Sequence, residues 1–224
     1  MNNVCYLFFI ALLLPMTSCI KYYDTVKSEF PQAKDQPTKQ EAVYRYVRSE
    51  TVYDEFQTRA IFDVLWLSDS VRSAYVDVYT NKHGLNLDGK DDLLKKQRKE
   101  NEETISFYVL AEVRDPGHIS LEDSNSAWSL YLTNDSGWKL NPKNIKEVEL
   151  APEYKNFFGR HRVTPFKVPY LVTFDLKDFV LNKGSLDSGL KLVVGSVDKK
   201  IEFVWDESQP MKKKVGNNED FYWG

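Results

Sequence analysis

Histidine, cysteine and paired carboxylates are the side chains from which most active sites are built, so their spacing is read first. His83, His118 and His161 are the three histidines, and no two stand at the His-x-x-x-His interval that sets two imidazoles on one helix face around zinc. Neither a Gly-x-Ser-x-Gly elbow nor a glycine-rich phosphate loop occurs. Asn86-Leu-Asp-Gly-Lys-Asp-Asp92 has the composition of a calcium loop but not its spacing. With Gly89 as the turn glycine, Gly84 falls at the first ligand position and Lys95 where the bidentate Glu belongs, so a polar turn is expected. Among the carboxylates Asp63 stands out, because Phe62 and Val64 flank it inside an apolar strand. Alternation puts it on the face opposite those two, and solvent is the default environment for an Asp. These residues predict no catalytic group, no metal and no cofactor, and the chain reads as non-enzymatic.

One segment has the composition of a contact surface. Phe157-Phe158-Gly159-Arg160-His161-Arg162 sets two aromatics beside three basic residues. Aromatics with Arg make interface hot spots, and Arg also meets anionic lipid or glycan. In the competing reading Phe157 and Phe158 plug the end of the domain while Arg160, His161 and Arg162 stay solvated.

The elements that would carry these residues are mostly strands. Ala60, Phe62, Val64 and Trp66 alternate, as do Ile105, Phe107, Val109, Ala111 and Val113. Further strands are expected over 128–132, 145–150, 168–176, 190–194 and 201–205. A four-residue turn, Asn134-Asp-Ser-Gly137, makes a hairpin after 132. Between the first two strands Ser68 caps an amphipathic helix with Val71, Ala74, Tyr75, Val78 and Tyr79 on one stripe. Lys82 and His83 occupy its last turn and Gly84 its stop. Residues 93–103 have apolar residues only at their start, are otherwise charged or polar, and read as a solvated helical arm or a mobile loop, while Thr38-Lys-Gln-Glu41 is a capping box for a short helix to about Val47. The fold class is therefore mainly β: an antiparallel β-sandwich of about seven strands with a helical insertion, the alternative being an open α+β sheet. Irregular strand spacing and the helical interruption argue against a transmembrane barrel. A net charge of −3 leaves no basic surplus for a phosphate backbone, so no nucleic-acid partner is expected.

The amino terminus supplies an address. Residues 4–14 are an unbroken apolar run of eleven. As a helix it spans about 16 Å, roughly half the hydrocarbon thickness of a bilayer, which suits the core of an export signal. After Pro15 come Met16-Thr17-Ser18-Cys19. An aliphatic residue, two small residues and Cys resemble the lipobox of bacterial lipoproteins. The resemblance implies cleavage before Cys19, diacylglycerol (palmitate-type chains) on its sulfur, and acylation of the new amino terminus. Ile20, in place of the Asp that retains such proteins at the inner membrane, implies the outer membrane. An export signal of another class and an uncleaved apolar helix are the alternatives, although the run lacks the polar stripe of a core helix. Three further stretches, 62–76, 128–142 and 169–174, resemble bacterial lipoproteins of unassigned function with a β-sandwich-like body.

The expected organisation is a signal peptide over 1–18, a lipidated Cys and flexible tether over 19–39, and one β-rich domain over 40–206 with its helical insertion at 68–103. A C-terminal tail covers 207–224. Cys5 leaves with the signal and Cys19 is acylated, so the mature domain has no thiol chemistry. The expected partners are the membrane, through the lipid on Cys19, and an envelope protein. The function that follows is a lipid-anchored interaction or structural accessory in the periplasm or at the cell surface. A binding module for glycan, peptide or lipid is the alternative, and an enzyme without a recognisable motif is the third, less favoured reading.

Overall fold

The structure is a computed structural model that describes residues 43–55, 57–114, 120–133, 138–159, 161–181 and 189–205. Cys19, Arg160, His118, the Asn134–Gly137 turn and the tail after 205 lie outside these residues. Within them the chain runs β1 (Val47–Asp54), β2 (Gln57–Trp66), α1 (Asp69–His83), α2 (Leu87–Glu103), β3 (Thr104–Val113), β4 (Ser129–Thr133) and β5 (Lys139–Leu140). It continues through β6 (Asn144–Glu147), α3 (Pro152–Phe158), β7 (Val168–Asp175), α4 (Leu176–Leu181), β8 (Leu190–Gly195) and β9 (Lys200–Trp205).

Two antiparallel sheets result, ordered β1-β2-β3-β7-β6 and β5-β4-β8-β9. The mainly β class with its helical insertion is as the sequence reading has it, with nine strands among the described residues where about seven are expected. The register follows from which side chains must be dry. Phe62 pairs with Ala111, Val64 with Val109 and Trp66 with Phe107, so the expected apolar faces of β2 and β3 coincide. Tyr170, Val172 and Phe174 of β7 extend the same face. It packs on Trp128, Leu130 and Leu132, Leu192 and Val194, and Phe203 and Trp205 of the second sheet. Ring contacts cross between the layers: Phe62 meets Trp128 edge-on at 5.2 Å, and Phe107 meets Trp205 at 5.3 Å.

The sheets also meet along one seam. Trp205 Nε1 donates to the carbonyl of Tyr46 at 2.7 Å, and Arg48 Nε donates to the carbonyl of Val204 at 2.9 Å. Both ends of the described chain, Val43 and Trp205, therefore lie at one corner of the domain.

The outer face of the five-stranded sheet is not solvated as a plain sandwich would have it. Leu65, Leu110 and Tyr108 are on that face, and helices cover it. Tyr108 lies 4.7 Å from Tyr154 of α3, which stacks face to face on Tyr75 of α1, also at 4.7 Å. The architecture is thus three-layered: helices, five strands, four strands.

Ser68 caps α1 as expected, its hydroxyl accepting from Val71 N, and Gly84 closes it in the left-handed conformation at φ +62°. Asn86 Oδ1 accepts from Gly89 N at 2.9 Å, so the calcium-like stretch is the N-cap of α2. The charged arm 93–103 continues α2 as helix, making 17 residues in all. Arg72 is its main buried anchor on α1, alongside Asp69 to Asn101 and Asp77 to Lys90. Buried in α1, Arg72 donates from Nη1 to Gln97 Oε1 at 2.8 Å and to Glu100 Oε2 at 2.9 Å, and from Nε to Asn101 Oδ1 and to the Leu67 carbonyl. Arg72, Val76 and Thr80, four residues apart, form a second buried stripe toward α2 that the apolar pattern does not reveal.

Two expectations are corrected. The short helix does not reach Val47: Val43 and Tyr44 are helical, the chain turns at Arg45 and Tyr46, and β1 starts at Val47. The polar turn expected at 86–92 is helical: Asn86 caps α2, and 87–92 form its first turns. Before β7, Pro152 stands at the first turn of α3, where a missing N–H costs nothing.

Candidate functional site

The charged side chains that converge most closely lie on the outer face of β1 and β2. Register sets Ser49 directly opposite Asp63, which brings the two side chains together on one face. The Ser49 hydroxyl donates to Asp63 Oδ1. Asp63 is only 2% exposed, which corrects the solvated placement expected for it. Alternation identifies its face correctly, but that face is covered by the loop after α3.

This loop is shaped by a glycine. Gly159 ends α3 at φ +85°, and a Cβ there would come within 3.2 Å of the His161 ring. The chain then turns, Arg162 N donating to the Gly159 carbonyl at 3.1 Å and Lys167 N to the Thr164 carbonyl at 3.2 Å. Two cations are thereby aimed at Asp63. Lys167 Nζ reaches Asp63 Oδ2 at 2.6 Å, with its own side chain 8% exposed. Arg162 Nε donates to Ser49 Oγ at 2.8 Å and lies 3.4 Å from Asp63 Oδ1. Its Nη1 donates to the Phe158 carbonyl, and its guanidinium sits 4.8 Å from the centre of the Tyr44 ring.

In chemical terms this is a clamp. Both carboxylate oxygens are engaged by charged or hydroxyl donors, which fixes the carboxylate in place and leaves it no free lone pair directed at an incoming group. One carboxylate faces two cations, so the group carries an excess positive charge. The hydroxyl of Thr164, in the same loop, is buried without a hydrogen-bond partner.

The expected contact segment divides here. Phe157 and Phe158 are buried, as the plug reading has it, but in the helical layer over the five-stranded sheet rather than at the end of the sandwich. His161 is exposed and Arg162 half-buried. Ser49 and Lys167 are absent from the sequence-level site, because recognising Ser49 requires β1, and no local pattern pairs Lys167 with Asp63.

A second buried polar group joins α1 to α3. Glu153 Oε1 accepts from Lys82 Nζ at 2.8 Å, the carboxylate enclosed and the lysine half in solvent. Burial pushes the Glu153 carboxyl up. The hydrogen bond from Lys82, a backbone amide and the charges of Lys82 and His83 together outweigh that and hold it below the ordinary carboxylate value. Beside it, burial pushes the phenols of Tyr75, Tyr108 and Tyr154 above the ordinary range, Tyr154 furthest. Among the described residues no group of three or more His, Cys, Asp or Glu is placed to hold a metal ion.

Comparison with protein-family models, with curated proteins and with solved structures finds no match to this chain.

Proposed function

We propose that the chain is a lipid-anchored envelope protein, held by acyl chains on Cys19, whose β-rich domain is a non-enzymatic interaction or structural accessory. The observation that carries this reading is Met16-Thr17-Ser18-Cys19 directly after the apolar run of 4–14. Two or three acyl chains anchor stably where a single chain binds marginally. The polar interior of the domain supports the accessory role. Asp63, Arg72 and Glu153 are each tied by ionic and hydrogen-bonded partners that join one element to another.

Metabolic labelling with radioactive palmitate tests the anchor, comparing wild type with Cys19→Ala after membrane fractionation. Label present in wild type and lost in the variant supports the reading. Wild type that takes no label overturns it.

A further inference from the structure

Helix α2 is held to the domain along one side. Lys90, Leu93, Leu94, Gln97 and Asn101 are withdrawn from solvent there, with Asp77 holding Lys90 and Arg72 holding Gln97 and Asn101. On the other side Asp88, Asp91, Asp92, Lys95, Lys96 and Lys99 are all exposed. Each stands three, four, seven, eight or eleven residues after Asp88, which lays them along one outward stripe about 17 Å long. The stripe is acidic over its first half and basic over its second. Charges at such intervals can pair within their own helix. Among the described residues the one such bridge on the stripe is Lys95 to Asp92, at 3.8 Å and open to water. Asp88, Asp91, Lys96 and Lys99 make no salt bridge there.

We infer that this stripe is a self-pairing surface, on which a second copy of the chain seats its own α2 in the antiparallel sense. The run Asp88-Gly-Lys-Asp-Asp-Leu-Leu-Lys-Lys-Gln-Arg-Lys99 inverts its charge about the point between Leu93 and Leu94. Turned end for end, Asp88 meets the partner's Lys99, Asp91 meets the partner's Lys96, and Asp92 meets the partner's Lys95. Two-fold symmetry makes each of these contacts twice. Laid parallel in the same register, the stripe would set Asp on Asp and Lys on Lys, so charge also selects the direction. A single exposed ion pair contributes little. Here the pairs form one row, on a helix that Arg72 and Asp77 already fix to the domain, which lowers the cost of ordering it. The association is weak and salt-sensitive, and it requires no lipid anchor.

The test is sedimentation equilibrium of the mature chain, residues 19–224, carrying Cys19→Ser so that no acyl chain contributes. A monomer–dimer equilibrium is expected at low ionic strength, shifting to monomer in about 0.5 M salt as screening shortens. Asp91→Lys sets lysine against the partner's Lys96 at both ends of the seam and should raise the dissociation constant about tenfold. Lys96→Glu should do the same. Both changes in one chain should restore the pairing, because each altered position again meets its opposite charge. Asp91→Lys with Lys99→Glu carries the same net charge but faces like on like, and should not restore it. Thermal transitions should be unchanged throughout, since exposed helix positions contribute little to folding. A chain that stays monomeric at low salt up to about 1 mM overturns the inference. So does a dimer indifferent to salt or to Asp91→Lys, which would place the contact elsewhere, and so does equal recovery by the two double variants. The unacylated chain decides this without reference to palmitate labelling, so the two readings fail separately.

Discussion

Lys167 Nζ and Asp63 Oδ2 lie 2.6 Å apart, both side chains withdrawn from water, and together they fix the loop after α3 to the second strand of the sheet. A buried pair is costly to assemble and more costly to break from one side, since the survivor is left charged and unpaired. Asp63→Asn strands Lys167, while Arg162 keeps Ser49 and the Phe158 carbonyl. It is expected to lower unfolding free energy by about 3–5 kcal/mol in a denaturant titration. Lys167→Met is expected to cost somewhat less, because Arg162 and Ser49 still hold the carboxylate. A cycle with the double variant should show strong coupling. A loss under about 1 kcal/mol for Asp63→Asn would mean that the pair is open to solvent.

Arg72 makes a more local prediction. Replacing it with Leu keeps much of the buried bulk but removes its bonds to Gln97, Glu100 and Asn101, leaving the Asn101–Asp69 hydrogen bond and the Lys90–Asp77 pair between the two helices. The cost should be about 2–3 kcal/mol, set by the buried acceptors left without donors. Hydrogen exchange should show where it falls. Amides of α2 should exchange markedly faster while β2 and β3 keep their protection. Uniform loss of protection would show that α2 is not the separable part.

The Glu153–Lys82 pair predicts a pH dependence. The Glu153 carboxyl is held below its ordinary value of 4.5, so the folded state releases its proton more readily than the unfolded chain. The stabilisation is complete above that value and disappears as the pH falls through the lower, folded one. Lys82→Met removes the leading counterweight to burial, and the carboxyl should then titrate upward. The variant should lose about 1–2 kcal/mol at neutral pH, discounted for the half-exposed lysine, and clearly less near pH 4. Carboxyl NMR titration of Glu153 in both proteins provides the direct check.

At the alkaline end the sign reverses. Tyr75, Tyr108 and Tyr154 have phenols raised by burial, so the unfolded chain gives up those protons first. Stability should therefore decline as the pH climbs past the ordinary phenol value of 10. Absorbance titration should show the exposed tyrosines ionising early, and these three only with unfolding. Reversible ionisation of all tyrosines in one step, without loss of near-ultraviolet dichroism, would contradict the stacked and enclosed geometry.

What was legible in the sequence depended on whether an element is held by apolar or by polar contacts. β2, β3 and β7 are read from alternation because their inner faces are uniformly apolar, and α1 from Ser68 and Gly84 because caps are local. β1 escapes for the opposite reason. Val47 faces the helical layer and Val52 the inner core, with a bulge between Val52 and Tyr53, so no single stripe marks it. The upstream capping box then biases the reading toward helix. α2 has Leu93 and Leu94 half-buried and is secured mainly through Arg72 on another helix. Periodicity has no access to such an anchor. Asp63 shows the same limit: its face was predictable, whereas its cover, formed by residues a hundred positions away, was not.

The outer strands of the two sheets have one more consequence. β5 has two residues, and β6 has four, with Lys146 and Glu147 among them. β1 is bulged and exposes Glu50, and β9 exposes Lys200 and Glu202. Short, bent or charged borders offer poor templates for a further strand. Where many copies share a confined plane and meet side by side, ribbons and fibrils begin at such borders. This domain should therefore form no such ribbon at high local density, each copy free to engage whatever it meets.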